Sequence, residues 1–560
     1  MEYIKLVKIY EALEKTTKRL EKTEIISEFI KHVKEDELQH LIYLIEGRVF
    51  PESMEEKIGM SSQLILKVIA RATGNSISNI EDEWKKKGDL GIVAEEFIRE
   101  KKQRTLAHQE LTTQLVYENI KKLAELEGAG TVDRKVSLVA ELLSNAKPEE
   151  ARFIVRTVLE ELRIGVSEGI VRDSIAKAFD IPVDELEKSF NLLVDFGKIA
   201  VLAKKGKSHI TRVGLEPGRP TKVMLAILVN SVSEGFEYLG KPLQAEIKLD
   251  GFRVIIHNDE KNIYLFTRRM ENVTNQFKEL IPIIKKHIKA DSYIIDTELV
   301  GYDPKTKKYM PFQSISQRIK RKYDIEIMSK KFPVEINAFD IIYYNGSSMV
   351  DKPLKERRAL LERIIEPKRY SIVLTKKLVT SDEKEAEKFF RDSIKAGYEG
   401  IMLKNLSAEY KPGRYVNYMC KMKQALEPLD LVIVGAQWGE GKRSKWLSSF
   451  TLACKKGDKF VEIGKVGTGI KEKSEGVSFK DLTKMLKPLI TEKNGKNVTV
   501  KPKIIIQVGY EEIQKSPTYE SGYALRFPKF MMFRLEKPLS EVSSIREIER
   551  IYEYQKGRKK

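Results

Sequence analysis

The residues of this sequence best suited to chemistry lie in one short stretch, Glu246-Ile-Lys248-Leu-Asp250-Gly251-Phe-Arg253. The Ile/Val-rich residues that follow predict a β-strand. If the stretch itself is extended, period-2 alternation puts Glu246, Lys248 and Asp250 on one face. A lysine amine has an unperturbed pKa of ~10.4, so it becomes nucleophilic only when a metal ion or another cation lowers that pKa. The arrangement indicates attack on the α-phosphate of a nucleotide, giving a covalent lysyl–AMP; the alternative is an edge strand with solvated charges.

Further charged and aromatic side chains follow at or near the predicted strands downstream. In chain order they are Arg268 and Arg269, Asp296 and Glu298, Phe339, Glu399 and Lys404, and Lys421 and Lys423. A carboxylate at a strand end suits ribose or a hard cation, an aromatic ring suits a purine, and paired lysines suit phosphates. Each one alone is more often a solvated charge or a core aromatic. Their joint order within about 180 residues favours a nucleotide site.

The composition restricts the class of protein. A chain of 560 residues predicts three or four domains, and 41% hydrophobic residues exclude a disordered chain. The 101 Lys and Arg residues against 82 Asp and Glu give a net charge of +19, which favours nucleic acid as a partner over an anionic membrane. Neither a membrane-spanning apolar run nor a signal peptide is present, so we expect a soluble, cytoplasmic, nucleoid-associated protein without a targeting signal.

Cysteine and histidine usage narrows the chemistry. The two cysteines, Cys420 and Cys454, exclude a disulfide framework and a four-cysteine zinc site. The six histidines are scattered without metal-ligand spacing. Any catalysis is therefore expected to depend on lysine, carboxylates and a hard metal ion.

Hydrophobic periodicity divides the chain into three parts. Residues 1–215 repeat apolar side chains every three or four positions and predict an all-α domain. After a Gly/Pro/Lys-rich linker, residues 221–423 alternate short β-rich runs with helical stretches, which predicts an α+β domain. Residues 424–560 contain short strands punctuated by Gly and Lys turns, which predicts an all-β OB-fold domain with a C-terminal helix.

One turn in the helical part has two interpretations. The Gly165–Gly169 segment joins two helical patterns and is flanked by Arg156, Arg163 and Arg172. Backbone amides and arginines there suit phosphate binding. The alternative is a helix–turn–helix packing unit with solvated arginines.

The motifs together resemble a known superfamily. The series K-x-D-G-x-R, T-E-L, A-F-D, E-G-I-M-L-K and K-x-K is similar to that of the covalent nucleotidyltransferases, which include DNA ligases, RNA ligases and mRNA capping enzymes. The segments E-I-Q-K-S-P (512–517) and L-R-F-P-K-F (525–530) resemble ATP-dependent DNA ligases of the archaeal and eukaryotic replicative type. The resemblance covers essentially the whole chain, including the helical N-terminal part, which binds DNA in that family.

The resemblance implies a role for each matching residue. Lys248 would be the adenylated nucleophile, with Glu246 near the adenine, Arg253 and Arg268 on ribose and phosphate, and Phe339 stacked on adenine. Glu298 would meet ribose or metal, Glu399 would ligate Mg²⁺, and Lys421 and Lys423 would neutralise the α-phosphate. Arg526 and Lys529 would orient pyrophosphate from a domain that swings in and out.

Two positions depart from the family pattern. Tyr418 stands where a tryptophan is usual, three residues before Lys421. The basic residue expected a few positions upstream is Arg414, which lies one place off the usual spacing. The resemblance assigns Arg414 to the nucleotide site.

The implied reaction uses ATP as co-substrate with Mg²⁺, or another divalent cation such as Mn²⁺, and seals nicked double-stranded DNA in replication, repair and recombination. We expect a monomer. A capping enzyme or RNA ligase is disfavoured by the long helical N-terminal part and the R-F-P-K segment, and an NAD-dependent ligase by the lack of four cysteines. A non-catalytic nucleic-acid-binding protein would form no adduct on Lys248. The motifs do not distinguish strict use of ATP from use of ADP or NAD.

A weaker pattern concerns a second partner. Gln103, followed three residues later by Leu106, resembles a sliding-clamp-binding peptide, although Ala107 and His108 replace the usual aromatic pair. A basic surface loop is the alternative interpretation.

Overall fold

The computed structural model describes residues 1–54, 56–101, 109–128, 130–319, 323–424, 426–439, 443, 445–470 and 478–555. The proposed clamp-binding residue Gln103 lies outside these ranges. The chain forms two compact units. The first unit comprises Met1–Leu225, Gly251–Leu374 and Glu409–Arg414, and the second unit comprises Ala226–Asp250, Thr375–Ala408 and Tyr415–Lys560. Over the described ranges, no helix has the length and apolar character needed to cross a membrane.

The helices of the described chain are most densely grouped in its N-terminal part. They are α1 (Tyr3–Lys15), α2 (Arg19–Lys31), α3 (Glu35–Ile45), α4 (Ser62–Thr73), α5 (Ile77–Lys87), α6 (Leu90–Arg99), α7 (Thr113–Glu125), α8 (Thr131–Asn145), α9 (Pro148–Val158), α10 (Glu168–Ala178), α11 (Val183–Leu193), α12 (Phe196–Lys205), α13 (Lys207–Thr211), α14 (Val232–Leu239), α15 (Leu280–His287), α16 (Phe312–Ile319), α17 (Ile325–Lys331), α18 (Leu354–Ile364), α19 (Glu383–Lys395), α20 (Phe479–Leu486) and α21 (Ile545–Tyr554). Short 3₁₀ turns cover Asn275–Phe277, Lys487–Leu489 and Leu539–Glu541.

Within the described residues, the strands follow α13. They are β1 (Met224–Leu225), β2 (Ile227–Val229), β3 (Leu243–Lys248), β4 (Phe252–Asp259), β5 (Ile263–Thr267), β6 (Ser292–Gly301), β7 (Val334–Tyr344), β8 (Ser347–Ser348), β9 (Ile372–Leu374), β10 (Lys377–Thr380), β11 (Gly400–Asn405), β12 (Gly413–Arg414), β13 (Met419–Lys423), β14 (Leu429–Trp438), β15 (Leu447–Lys456), β16 (Lys459–Val466), β17 (Ile490–Asn494), β18 (Asn497–Val500), β19 (Ile505–Gly509), β20 (Glu512–Lys515), β21 (Tyr523–Arg526) and β22 (Lys529–Phe533).

The first thirteen helices pack around one apolar core, as the periodicity predicts. Leu6, Tyr10 and Leu13 form a fully buried stripe along α1, because side chains three or four positions apart share a helix face. Helix ends follow ordinary capping chemistry: the Ser61 hydroxyl accepts the Leu64 N–H at the start of α4. The all-α prediction for this part is confirmed.

The three arginines flanking the Gly165 turn are engaged within the protein. Each guanidinium pairs with carboxylates of the same helical region. The pairs are Arg156 with Glu14 and Asp89, Arg163 with Glu161, and Arg172 with Asp173 and Glu187. Arg156 is buried, so its charge is neutralised locally rather than offered to a ligand. The structure favours the packing interpretation for Arg156, whereas Arg163 and Arg172 keep exposed surface beside their carboxylate partners.

The first unit also contains a mixed sheet in the order β5-β4-β6-β7-β8, with β9 parallel to β7. One face packs on α15 and α18 through an apolar cluster that includes Val254, Ile256 and Ile295. On the opposite face of β4 lie Arg253, Ile255 and His257. This alternation turns Arg253 away from the apolar cluster.

His257 is fully buried, and neither ring nitrogen has a hydrogen-bond partner among the described residues. Burial lowers the pKa of His257 from its ordinary value of 6.5 to about 3. As the pH falls below 6.5, the unfolded chain therefore binds a proton here that the folded chain refuses until about pH 3. Well above pH 6.5, His257 contributes no pH dependence to the stability of the fold.

We therefore expect the stability of this sheet to fall with pH below about 6.5, by up to about 1.4 kcal/mol per pH unit from His257 alone. His257→Leu should remove that part of the slope. The measurement is urea-induced unfolding of both chains at a series of pH values between 7 and 5. Equal slopes for the two chains would contradict the assignment.

The second unit contains two β structures. A five-stranded sheet has the order β10-β3-β11-β13-β2, and α14 and α19 pack on its apolar face. In the C-terminal part, neighbouring strands pair in the order β16-β15-β14-β18-β17. Strand β14 also pairs with β19, and β19 pairs with β22. A bridge between Thr468 and Lys529 links the chain after β16 to β22. This arrangement is the all-β C-terminal domain that the sequence predicts.

Candidate active site

The five-stranded sheet of the second unit has one apolar and one polar face. Leu243 and Ala245 of β3 belong to a buried cluster with Ile401 and Leu403 of β11 and Cys420 of β13. The intervening positions therefore face the other way. On that polar face lie Gln244, Glu246 and Lys248, Met402 and Lys404, and Lys421 and Lys423. The prediction that Glu246 and Lys248 share a face is confirmed; β3 ends at Lys248, so Asp250 lies beyond the strand.

Strand register aligns the predicted phosphate-binding lysines with the predicted nucleophile. Lys248 lies opposite Gly400 of β11, and Gly400 lies opposite Lys423 of β13. In the next row, Glu246 lies opposite Met402, which lies opposite Lys421. We call the first of these rows, Lys248–Gly400–Lys423, the lysine row. The two lysines of this row flank a position that has no side chain.

Gly400 is required at the centre of the lysine row. Its φ is +148°, which L side chains rarely adopt, and a Cβ there would lie 2.0 Å from the Met422 carbonyl oxygen. The residue before it, Glu399, donates its backbone N–H to the Lys248 carbonyl at 3.0 Å. The glycine thus brings three strands close together and fixes where the Glu399 side chain begins.

The Glu399 carboxylate lies between the two lysines. Its Oε2 is 2.5 Å from Lys248 Nζ and 3.7 Å from Lys423 Nζ. The side chain of Glu399 is only 10% exposed, which strengthens both attractions relative to open water. The carboxylate therefore places a negative charge directly beside the amine of the proposed nucleophile.

Glu246 is paired inside the sheet. Lys404 Nζ lies 2.7 Å from one carboxylate oxygen, and Gln244 Nε2 donates to the other at 2.6 Å. Glu246 and Lys404 are each 2% exposed. Because a buried charge without a partner is costly, each member of this pair requires the other. Lys404 ends the E-G-I-M-L-K motif, but the sequence pattern indicates no role for it.

The C-terminal β domain places a carboxylate against Lys423 and a guanidinium in the same pocket. Glu511 Oε2 is 2.7 Å from Lys423 Nζ. Arg526 Nη1 lies 3.4 Å from Glu512 Oε2, its register partner across the β20–β21 hairpin. Lys423, Glu399, Glu511, Glu512 and Arg526 line one pocket of the second unit. Lys529 begins β22, pairs in register with Gly509 and is exposed.

Arg253, in the first unit, is held by four hydrogen bonds. Its Nε donates to Asp296 Oδ1 at 2.8 Å, and Nη2 donates to Asp296 Oδ2. Nη1 donates to the Met224 carbonyl at 2.6 Å, and Nη2 also donates to the Tyr410 hydroxyl at 3.2 Å. Burial alone would lower the pKa of Arg253, but the charge of Asp296 raises it above its ordinary value. The sequence indicates Asp296 as a candidate carboxylate for ribose or a cation, whereas no sequence pattern indicates Tyr410.

Tyr410 completes this network. Its hydroxyl donates to Asp296 Oδ2 at 2.8 Å. Burial and the neighbouring Asp296 charge raise the pKa of Tyr410 well above its usual value, so the hydroxyl keeps its proton as a donor. Asp296 lies two residues before Glu298 on β6, so alternation places both carboxylates on one face of the strand.

Four arginines of the first unit generate a strongly positive region. Burial lowers the pKa of Arg268, and the charges of Arg253, Arg414 and Arg269 lower it further, opposed by Glu298. Mutual repulsion of this kind is relieved when an anion binds. Glu298 lies opposite Arg253 in the β4–β6 ladder, and β12, which ends at Arg414, pairs with β1.

Phe339 is half-buried in β7 rather than enclosed in the apolar core. The Arg253 guanidinium lies 5.4 Å from its ring centre. Its neighbour Asp340 is buried and bound by both nitrogens of the Arg357 fork, at 2.8 and 2.9 Å. The strand is therefore anchored next to a ring that keeps accessible surface.

The carboxylates fit a metal ion that binds together with a nucleotide. Among the described residues, no group of three or more His, Cys, Asp or Glu is arranged as a metal site. Mg²⁺ is usually held by one or two carboxylates plus substrate phosphates rather than by a protein cage. A single, mostly buried Glu399 carboxylate beside Lys248 matches that pattern.

Three family models match consecutive parts of the chain. The match to "ATP dependent DNA ligase domain" covers residues 223–423. "DNA ligase N terminus" matches residues 2–176, and "ATP dependent DNA ligase C terminal region" matches residues 443–537. The lysine row and the four arginines Arg253, Arg268, Arg269 and Arg414 fall within the first of these matches.

Similar proteins extend over the whole chain. The DNA ligase of Nanoarchaeum equitans is 46% identical over 563 residues, covering 100% of this chain and 99% of the relative. The DNA ligase of Thermococcus onnurineus is 40% identical over 558 residues, covering 99% of this chain and 98% of the relative. The solved structure named Pmar-Lig_PreS3 matches the fold with a TM-score of 0.58 at 16% identity, covering 94% of this chain and 99% of that one. The chain therefore belongs to the ATP-dependent DNA ligases, enzymes that join DNA with ATP as co-substrate.

Proposed function

We propose that this ligase acts through an AMP group carried covalently on Lys248. The observation that carries the proposal is the lysine row, in which Lys248 and Lys423 flank Gly400 with the Glu399 carboxylate against Lys248 Nζ. A nucleophilic amine, a second cation for the phosphate and a carboxylate for a metal ion thus occur together on one sheet face. Lysine adenylation requires these three groups.

In the first step, Lys248 Nζ attacks the α-phosphorus of ATP. A nitrogen–phosphorus bond forms while the bond from the α-phosphorus to the pyrophosphate oxygen breaks, and the amine gives up its proton to solvent. Lys421 and Lys423 neutralise charge that develops on the α-phosphate oxygens. Arg526 and Lys529 orient the departing pyrophosphate from the C-terminal domain, which swings in and out.

Glu399 has two tasks in this scheme. Its carboxylate aligns the Lys248 amine through the 2.5 Å contact, and it would ligate Mg²⁺, or another divalent cation such as Mn²⁺, with Glu298 as a second candidate ligand. When bound, the ion supplies charge neutralisation at the nucleotide phosphates. Loss of the Lys248 proton requires weakening of the ammonium–carboxylate pair, so we expect attack only in the nucleotide-loaded site.

The remaining side chains bind the nucleoside. Glu246 is assigned near the adenine, and Phe339 is assigned to stack on it, supported by its accessible ring. Arg253 and Arg268 are assigned to ribose and phosphate, with Arg414 as a further cation. Because Arg253 is already fixed by Asp296, it would meet its ligand without reordering its side chain.

Two further displacements complete the reaction. An oxygen of the nick 5′-phosphate attacks the α-phosphorus, which breaks the bond to Lys248 Nζ and leaves AMP on the DNA. The 3′-hydroxyl then attacks the 5′-phosphorus, AMP departs, and the phosphodiester bond closes. A nick has no fixed base sequence, so recognition depends on backbone charge and duplex shape, which suits a chain of net charge +19.

We assign residues 1–215 to DNA binding, 221–423 to adenylation and 424–560 to the OB-fold domain. The protein is proposed to act as a monomer on nicked duplexes in replication, repair and recombination, in the cytoplasm at the nucleoid. Binding of a sliding clamp near Gln103 is a separate proposal. It predicts that Gln103→Ala abolishes retention on the cognate clamp.

Nick sealing tests the proposed function directly. With ATP and Mg²⁺, a labelled duplex with a 5′-phosphate at a nick should become full-length, and a nick ending in a dideoxynucleotide should instead accumulate the 5′-adenylated strand. The same nick built entirely in RNA is the control substrate. Sealing of RNA alone, or of no substrate by folded protein, would contradict the proposal.

A further inference from the structure

Lys423 is bridged by carboxylates from two separate parts of the second unit. Glu511, from the C-terminal β domain, lies 2.7 Å from its ammonium nitrogen, and Glu399 lies 3.7 Å away on the other side. Lys248 Nζ lies 2.5 Å from Oε2 of the same Glu399 carboxylate. Charges therefore alternate along the series Lys248, Glu399, Lys423 and Glu511. The carboxylate of Glu511 occupies the outer end of this series.

The backbone fixes Glu511 at that place. Glu511 directly precedes β20, and its N–H donates to the Arg526 carbonyl at 2.9 Å. Burial would raise the pKa of Glu511, but the hydrogen bond and charge of Lys423, with the charges of Lys421 and Arg526, hold the pKa below its usual value. Glu511 is therefore an anion surrounded by the cations that we assign to nucleotide phosphates.

We propose that Glu511 is a positioning residue that holds Lys423 in the nucleotide-free enzyme and releases it to the incoming phosphate. The inference rests on the proposed role of Lys423 as a phosphate ligand. A carboxylate and a phosphate oxygen compete for the same ammonium group, because both accept charge-assisted hydrogen bonds from it. Nucleotide binding must then break the Glu511–Lys423 pair, and the C-terminal domain loses one attachment to the sheet as ATP enters.

This scheme makes the effect of Glu511 on nucleotide affinity opposite to that of an ordinary ligand. With Glu511 neutralised, the Lys423 ammonium no longer has to exchange the Glu511 carboxylate for a phosphate oxygen when ATP binds. The Glu511 side chain is 39% exposed and that of Lys423 is 22% exposed, so the pair is partly screened. We expect Glu511→Gln to tighten nucleotide binding about fivefold, in line with the loss of one partly exposed ion pair.

The test is calorimetric titration with α,β-methylene-ATP and Mg²⁺, because this analogue cannot transfer AMP. Wild type, Glu511→Gln, Glu511→Asp and Glu492→Gln are compared, each with its melting temperature recorded. Glu492 is an exposed glutamate of β17 and controls for loss of one charge. We expect tighter binding only for Glu511→Gln, with Glu511→Asp close to wild type. An affinity for Glu511→Gln equal to or weaker than that of wild type would overturn the inference.

A double-mutant cycle separates this inference from the function on which it rests. Lys423→Ala should bind the analogue more weakly than wild type, and adding Glu511→Gln to it should give no gain. A gain of the same size with and without Lys423 would mean that Glu511 acts by general repulsion, which overturns the positioning role alone. Unweakened binding by Lys423→Ala would instead refute the assignment of Lys423 to the phosphate, and the inference with it.

Discussion

Replacing Lys248 with alanine is expected to reduce sealing of a 5′-phosphorylated nick by at least about 10⁴-fold, because removal of a covalent nucleophile typically costs that much or more. The same variant should still seal a nick whose 5′ end already bears AMP. In that last step the 3′-hydroxyl is the nucleophile, and the lysine forms no bond. The measurement is single-turnover sealing of both substrates, followed by gel electrophoresis.

Two comparisons make this result specific. Lys493→Ala removes an exposed lysine of β17 and should seal both substrates at the rate of wild type. Equal loss on the phosphorylated and the pre-adenylated nick would show that Lys248→Ala damages the site generally. Normal sealing of the phosphorylated nick by Lys248→Ala would remove Lys248 from the reaction.

The second large effect is expected on stability. Lys404→Met leaves the Glu246 carboxylate buried without its 2.7 Å ammonium partner, and breaking a buried ion pair from one side costs about 3–5 kcal/mol. Opening of the β3–β11 ladder should become easier by that amount. Hydrogen exchange of peptides covering these two strands, read by mass spectrometry, measures the change.

Removing both charges provides the matched control. The pair Lys404→Met with Glu246→Gln leaves no uncompensated charge, so we expect most of the lost protection to return. If the double variant exchanges as fast as Lys404→Met alone, the loss comes from packing of the lysine stem. Protection equal to wild type in Lys404→Met would show that Glu246 finds another partner.

Local pattern predicted the faces of the site correctly. Alternation within β3 placed Glu246 and Lys248 together, and the K-x-K spacing placed Lys421 and Lys423 on one face of β13, because both follow from backbone geometry alone. The alternation does not extend to Asp250, because β3 ends at Lys248. A strand boundary depends on pairing with β11, which the local sequence does not contain.

Partners distant in sequence could not be predicted. Arg253 and Asp296 are 43 residues apart, Lys423 and Glu511 are 88 apart, and Lys404 and Glu246 are 158 apart. Each pair forms only after strands from different segments align in register. Single-sequence periodicity reports which face a side chain occupies, but not which side chain comes to lie beside it.

Some short helices have little sequence signal of their own. Helices α16, α17 and α20 are 8, 7 and 8 residues long, which is about two turns and too short for a clear 3.6-residue repeat. Their stability comes from packing and caps: Ser478 and Asp481 form a capping box at the start of α20. The long helices of residues 1–215, by contrast, repeat their apolar stripe often enough to be recognised.

Intact-protein mass spectrometry after incubation with ATP and Mg²⁺ tests the central claim most directly. We expect the protein to gain the mass of one AMP, located on the peptide that contains Lys248, absent from Lys248→Ala and discharged by nicked duplex DNA. An adduct formed only with GTP, or discharged only by RNA, would contradict the proposed substrate. Absence of any adduct on folded protein, with ATP, GTP or NAD, would contradict covalent catalysis by Lys248.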